Sequence, residues 1–283
     1  MNPTALSTGL RHPTAVIHPR AELHETVEVG AYAVIGEHVR IGARTVVGPH
    51  VLIEGWTEIG SDNEFFHGAS IGSAPQDLKY RGEPSRVVIG NGNRIREFVT
   101  INRATVTADG DATVIGHNNL LMAYTHVGHN CVIEDQVIIT NAVSLAGHIH
   151  IERQARIGGM VGLHQFVRVG QLAMVGAMAR IDRDVPPFTL VEGHPGRVRG
   201  FNWVGLNRAG ISGEGNGETL RLLKQAYRIL YRSSRPLEHS LKELQALGSN
   251  PRIEHLYQFL FDSLTVTGRR GPTPAGRKRS SED

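Results

Sequence analysis

Cysteine is almost missing from this chain: Cys131 is the only one in 283 residues. No internal disulfide can form, and a lone thiol at an inward repeat position reads as a small packed hydrophobe. Aromatic residues are also sparse, at 6%, so a core must be filled by aliphatic side chains. No window approaches the roughly 20 apolar residues of a membrane span. The opening MNPTALSTGLRHP lacks the apolar centre of a signal peptide, so a cytoplasmic protein without an integral membrane segment is expected. Charge of either sign is scarce in net terms. A pI near 9.2 hints at an acidic partner, but a net charge of +3 without an aromatic-rich basic motif argues against nucleic acid.

What is present is a period of six. Aliphatic residues open every block from Ile115 through Leu121, Val127, Ile133, Ile139, Leu145, Ile151, Ile157, Leu163, Val169 and Val175 to Ile181. A second, smaller inward-type residue follows four places later, as at Thr125, Cys131, Val137 and Val143. An amphipathic helix repeats every three to four residues and a flat strand every two, so neither fits. The period is the hexapeptide signature of a parallel β-helix. Three sixes make one coil of about 18 residues, with coils about 4.8 Å apart, and the prism should be about eight coils tall. Glycine, 33 residues in all, gathers at second positions of the sixes (Gly30, Gly36, Gly42, Gly48, Gly60, Gly116, Gly128). These positions read as corners needing unusual backbone angles.

The same period runs earlier from Ile17 to Ile71, breaks over 73–86, resumes at Ile89, stalls over 104–113 and ends at Pro186 and Pro187. The expected organisation is a β-helix domain over 12–190 with two external loops, a helical domain over 191–267 and a disordered basic tail over 268–283. In the helical part, Leu220, Leu223, Tyr227 and Leu230 form an apolar stripe. Arg221, Lys224, Arg228 and Arg232 form a basic stripe beside it, a candidate face for an acidic partner.

Of the 15 histidines, His126, His129, His148 and His164 fall on one edge of the prism, within about 10 Å of height. Gly147 lies one coil after His129 and should stack on it. A residue without a side chain would there expose its N–H beside an imidazole, an arrangement suited to a general base next to an oxyanion donor. Ordinary hydrogen-bonded packing histidines are an equal reading of the spacing, and three converging imidazoles would also suit zinc.

The segments HVGHNC (126–131), SLAGHIHI (144–151), GGMVGLHQFVRVG (158–170), PQDLKYRGEPSRVVIG (75–90) and NRIREFVTINR (93–103) carry a more specific message. Together they resemble the UDP-N-acetylglucosamine 3-O-acyltransferase family of lipid A synthesis, over roughly residues 12–265. The resemblance implies a left-handed prism, a homotrimer with sites between subunits, and no cofactor or metal. It also implies transfer of an R-3-hydroxyacyl group from acyl carrier protein to UDP-N-acetylglucosamine. It places the catalytic base at His129 and the oxyanion donor at Gly147. Substrate contacts fall at Gln76, Asp77, Lys79, His126, His148, His164, Asn202 and Arg208, and the acyl-chain ruler at Ala177. Three positions depart from the family pattern: Asn130 stands where Asp is common after the base, Val204 replaces an acidic nucleotide contact, and Ala209 replaces an arginine. Two alternatives remain open on the sequence: a zinc hydratase of the trimeric β-helix carbonic anhydrase kind, and a binding trimer without catalysis.

Overall fold

The computed structural model describes residues 10–108, 110–233 and 235–276. Short strands of mostly two residues wind into a left-handed parallel β-helix. Its walls are three sheets of nine, eight and ten strands, in which each strand of the repeat pairs with the one three later, until the last two strands of the ten-stranded wall. The nine-stranded wall makes the prism about one coil taller than the period predicts. Residues one coil apart lie in direct register, as in the column His126, Ser144, Gly162 and Arg180. Each wall turns its aliphatic column inward: Val127, Leu145, Leu163 and Ile181 on one, Ile115, Ile133, Ile151 and Val169 on the next, Leu121, Ile139, Ile157 and Val175 on the third, all buried. Inside the earlier coils an asparagine ladder satisfies backbone that aliphatics could not. Asn93 Nδ2 donates to Asn63 Oδ1 (2.9 Å), Asn119 N to Asn93 Oδ1 (2.9 Å) and Val137 N to Asn119 Oδ1 (2.7 Å). Cys131 is fully buried, its thiol pushed up to about 12 by that burial, which makes it a packing residue.

The second-position glycines do not supply unusual angles, contrary to the expectation above. Left-handed φ falls instead on non-glycine corner residues immediately before the small inward residues, from Asn118 to Met178, between +54° at Leu172 and +68° at Phe166. Glycine is needed for close approach between coils. A Cβ on Gly48 would sit 2.6 Å from Phe65 O, and one on Gly128 2.8 Å from Leu145 O. Corners therefore carry the strain of φ > 0, typically about 1 kcal/mol or more per residue, held in place by the coils stacked on either side.

The third wall extends past Pro187. Thr189–Glu192 pairs in parallel with Met174–Val175 and antiparallel with Arg197–Phe201, so regular wall continues to Phe201. Four helices follow: α1 (Trp203–Arg208), α2 (Glu218–Tyr231), α3 (Leu237–Gln245) and α4 (Pro251–Thr265). Asn250 caps α4, accepting from Arg252 N at 3.0 Å ahead of Pro251, a sequence-readable start. The buried face of α2 is Thr219, Leu222, Leu223 and Ala226, rotated from the stripe that Leu220 suggested. The expected disordered tail also needs correction. Residues 268–276 lie along the prism, with Asp184 N donating to Gly271 O (3.2 Å), Thr273 N to Asp184 O (2.7 Å) and Val198 N to Pro274 O (2.9 Å). Arg269 pairs with the buried Asp184 carboxylate at 3.2 Å. Pairing with wall backbone, invisible to composition, orders a stretch that lacks apolar residues. Residues 277–283 lie outside the described residues.

Prism and helices are joined through Glu152. This buried carboxylate accepts from His255 Nε2 of α4 (2.7 Å), Arg168 Nη2 (3.0 Å) and Gln171 N (2.7 Å). Burial alone would raise its pKa. The hydrogen bond and charge of His255, with Gln171 N–H and Arg168, outweigh burial and hold the group below the ordinary carboxylate value. Its contribution to stability is therefore complete above the unfolded value of about 4.3 and is lost as pH falls through the lower folded value. Removing it takes from the half-buried Arg168 its nearer carboxylate, leaving Asp262 at 3.4 Å, and takes from His255 its acceptor; the loss of such charge-assisted hydrogen bonds costs about 1.5–3 kcal/mol each. Glu152→Ala should lower the thermal midpoint markedly, and Glu152→Gln should remove part of the wild type's loss of stability on acidification. An acid unfolding profile identical to wild type in Glu152→Gln would contradict this account.

Candidate active site

The wall His126, Ser144, Gly162 and Arg180 and the corner beside it line a groove of about 470 Å³, together with Gln76, Asn102, Gly128, His129, Gly147 and His164. Its floor lies open because Ser144 and Gly162 are small and exposed. His129 stands on the corner with its side chain only 14% exposed. A Cβ on Gly147 would lie 2.5 Å from both Cε1 and Nε2 of that ring, so only glycine lets the next coil close over the imidazole. The corner also explains why the Gly147 N–H is available. At the equivalent positions His117, Arg153 and Gln171, that N–H is taken by Asp135, Glu134 and Glu152 side chains (2.7, 3.0 and 2.7 Å). At Gly147 no acceptor engages it among the described residues.

The protonation pattern of His129 can be read from its neighbour. Asn130, at φ +58°, accepts from Thr105 N (2.9 Å) and donates through Nδ2 to Thr105 O (2.9 Å). This main-chain pair fixes which end of the amide is oxygen, since a flipped amide would set N–H against N–H. The Oδ1 so fixed faces His129 Nδ1 at 2.9 Å. An amide oxygen only accepts, so Nδ1 carries a proton, and in the neutral ring Nε2 presents its lone pair to the groove. The Asp77 carboxylate stands 4.0 Å from Nε2, a negative charge within reach of an imidazolium formed there.

The other histidines are differently engaged. His126 Nδ1 is 2.8 Å from Thr100 Oγ1, and burial first, with the neighbouring His129 second, pushes its pKa below the ordinary histidine value. His164 has Nδ1 3.1 Å from Gln165 O and Nε2 3.2 Å from the Arg270 guanidinium. Arginine can only donate, so the ring donates from Nδ1 and accepts at Nε2, leaving neither nitrogen for proton abstraction. His148 does not line the groove. Its ring packs edge-on to His129 at 5.1 Å and stacks on Phe166 at 4.7 Å, buttressing the base from behind.

Of the remaining sequence-predicted residues, Gln76 lines the groove from the 74–85 loop and Asp77 approaches His129 beside it, while Lys79 is exposed and outside the lining. That loop is pinned by Arg103, which bonds Tyr80 Oη (2.9 Å) and Gly72 O (2.8 Å). Asn202 and Arg208 are not in this groove. Asn202 caps α1, accepting from Gly205 N at 3.0 Å and donating to Leu172 O at 2.9 Å, and Arg208 is exposed in the last turn of α1. Ala177 is exposed next to Met178. The basic stripe is exposed, with Arg221 3.4 Å from Glu218, Lys224 over Trp203 and Arg232 over Tyr227. Thr105, Asn102, Arg180 and Arg270 escaped the sequence reading. Only the 18-residue spacing of Arg180 from Gly162 could have flagged one of them. Within one chain, no three His, Cys, Asp or Glu side chains converge as metal ligands among the described residues.

Comparison with known proteins adds to this picture. A family profile described as UDP N-acetylglucosamine O-acyltransferase, domain 2, matches residues 184–272, and a bacterial transferase hexapeptide profile matches 20–55. Proteins named acyl-(acyl-carrier-protein)–UDP-N-acetylglucosamine O-acyltransferase are similar in sequence. The one from Gloeothece citriformis is 60% identical over 78% of each chain, and that from Herminiimonas arsenicoxydans is 48% identical over 84% of this chain and 89% of its own. The solved UDP-N-acetylglucosamine acyltransferase of Francisella novicida superposes with a TM-score of 0.87 at 34% identity, covering 94% of this chain and 95% of its own. That of Moraxella catarrhalis gives 0.83 at 40% identity, over 88% and 96%.

Proposed function

The chain belongs to the acyl-(acyl-carrier-protein)–UDP-N-acetylglucosamine O-acyltransferase family, and from that premise we propose that it moves an R-3-hydroxyacyl group from acyl carrier protein to the 3-hydroxyl of UDP-N-acetylglucosamine, opening lipid A synthesis. The observation that carries the mechanism is the fixed Nδ1–H tautomer of His129 beneath the open N–H of Gly147.

His129 Nε2 takes the proton of the sugar hydroxyl as its oxygen attacks the thioester carbonyl carbon. The carbonyl oxygen becomes an oxyanion and accepts from Gly147 N–H. Collapse re-forms the carbonyl, breaks the carbon–sulfur bond and returns the proton from Nε2 to the leaving thiolate. No acyl-enzyme forms. Asn130 orients the ring without lending charge, and the negative charge facing the imidazolium comes from Asp77. One positioned base is worth about 10²–10⁴ in rate and one oxyanion donor about 10²–10³.

Assembly is part of the reading. Asn202 and Arg208 share a site with His129 in the family pattern yet do not line its groove, which is what a site built between subunits requires. One edge of the prism also carries an aromatic column, Tyr32, His50, His67, Phe98 and Tyr124, with ring centroids 5.1–5.3 Å apart. Met160 and Met178 continue that edge and are more than half exposed. Such a run of exposed apolar surface suits burial against copies of the chain, and we take the particle to be a homotrimer.

His129→Ala should keep a particle of three chains by light scattering and bind the nucleotide sugar, with kcat lowered by at least about 10². A variant with near wild-type kcat would remove His129 from its role. The stripe of α2 should act by steering an acidic carrier. Reversing charge at Arg221 and Arg228 should raise the KM for the carrier-bound donor and flatten its salt dependence, without raising that for UDP-N-acetylglucosamine. Unchanged donor kinetics would return the stripe to an ordinary solvated face.

A further inference from the structure

The groove does not end at the histidines. Above His126, its floor runs through Ser144 and Gly162 to Arg180, three rungs and so about 14 Å along the wall. There the 268–276 segment pairs with Asp184, just past the last strand of the wall, and brings Arg270 to His164, which lines the groove together with Arg180. Arg270 reaches His164 Nε2 at 3.2 Å, and Arg183 holds the Arg270 carbonyl through its own Nη1. All three arginines are exposed, and none is in an ion pair among the described residues. Arg269, next in the chain, is by contrast neutralised by Asp184. A hollow of about 210 Å³ between strap and corner is lined by Arg183, Arg270 and His164, and Asp182 is there too. Three cations against one unpaired carboxylate leave this end of the groove positive.

We propose that Arg180, Arg183 and Arg270 form a collar that binds a phosphate ester, the one joining the donor's prosthetic arm to its carrier protein. Guanidinium groups grip phosphate oxygens through charge-assisted, often bidentate bonds. Length selects the source. The pantetheine arm has about twelve chain bonds between thioester sulfur and phosphate, the equivalent of four residues, or about 14 Å when extended. That matches the distance from the histidines to the collar. The acceptor's pyrophosphate is separated from its 3-hydroxyl by little more than one sugar ring and falls short. His164, locked as a neutral ring between Gln165 O and Arg270, becomes a wall of the channel followed by the arm. The C-terminal strap is thus part of the donor site, and its function here rests on the acyltransfer reading above.

The test compares R-3-hydroxyacyl phosphopantetheine with R-3-hydroxyacyl pantetheine, which lacks the phosphate, as donors for the full-length protein. Wild type should favour the phosphorylated donor in kcat/KM by about tenfold or more, the scale of one or two hydrogen bonds between charged groups. The ratio should fall toward one in Arg183→Ala and Arg270→Ala, and partly return in Arg270→Lys, while the KM for UDP-N-acetylglucosamine stays within about twofold. Calorimetric binding of phosphopantetheine itself gives a readout independent of turnover, and Arg180→Ala keeps the test alive if a strap variant fails to fold. An unchanged ratio and unchanged phosphopantetheine binding would overturn the collar. So would a raised KM for UDP-N-acetylglucosamine with the donor ratio intact, which would assign the arginines to the nucleotide. A wild type that turns over none of the donors would defeat the acyltransfer reading, and the binding comparison would still decide the collar.

Discussion

The vertical pairing of residues one coil apart is the constraint on which the rest of the structure depends. Each corner residue is held at a left-handed φ that an isolated chain would avoid, because the coils on both sides hydrogen-bond to it, as His148 N does to His129 O at 2.9 Å. Once that register is set, residues far apart in sequence become fixed neighbours. Gly147 closes over His129, Asn119 continues the ladder begun at Asn63, and Arg180 stands in line with His126. A site built this way needs no mobile loop to bring base and oxyanion donor together, since both belong to the wall.

The same register limits what each residue can be. Gly147 must lack a side chain because His129 fills the space, and Asn130 must tolerate φ > 0 while orienting the base. Asparagine meets both demands of its position, being among the residues that enter the left-handed region most readily. An aspartate, which the family resemblance leads one to expect there, would add charge to the same hydrogen bond. Here the charge comes from a different element, Asp77 on the 74–85 loop, and orientation depends on Thr105 in the second excursion from the wall. Both loops that interrupt the repeat thus converge on one imidazole. Interruptions in a regular pattern are where function gathers.

The sequence made the architecture legible because the period of six is a direct image of the wall: Val127, Leu145, Leu163 and Ile181 could be stacked from numbering alone. The alignment of His129 with Gly147 followed from the same counting. Other features were hidden for physical reasons. The glycines at second positions looked like turn formers, but inter-coil contact at atomic distance, which numbering does not contain, is what excludes a Cβ. The strap over 268–276 looked disordered because its order comes from backbone pairing with the wall and one buried ion pair, neither of which composition reveals. His148, placed on the same edge by phase, packs against the base without lining the groove, because it stands in the column of Asn130 and Phe166, one residue beyond that of His129 and Gly147. The pairing of Thr105 with Asn130 spans 25 residues across a loop of irregular length, beyond the reach of any period.

The central claim is that His129 is held as a neutral ring protonated on Nδ1, with Nε2 open to the groove. Nitrogen-15 NMR of histidine-labelled protein, with His129 assigned through the His129→Ala variant, reads this tautomer directly. The account predicts that the neutral ring has a protonated, hydrogen-bonded Nδ1 and an unprotonated Nε2, and becomes a mixture of the two tautomers once Asn130→Leu removes the acceptor. A proton on Nε2 of the neutral ring in the wild-type protein would contradict it.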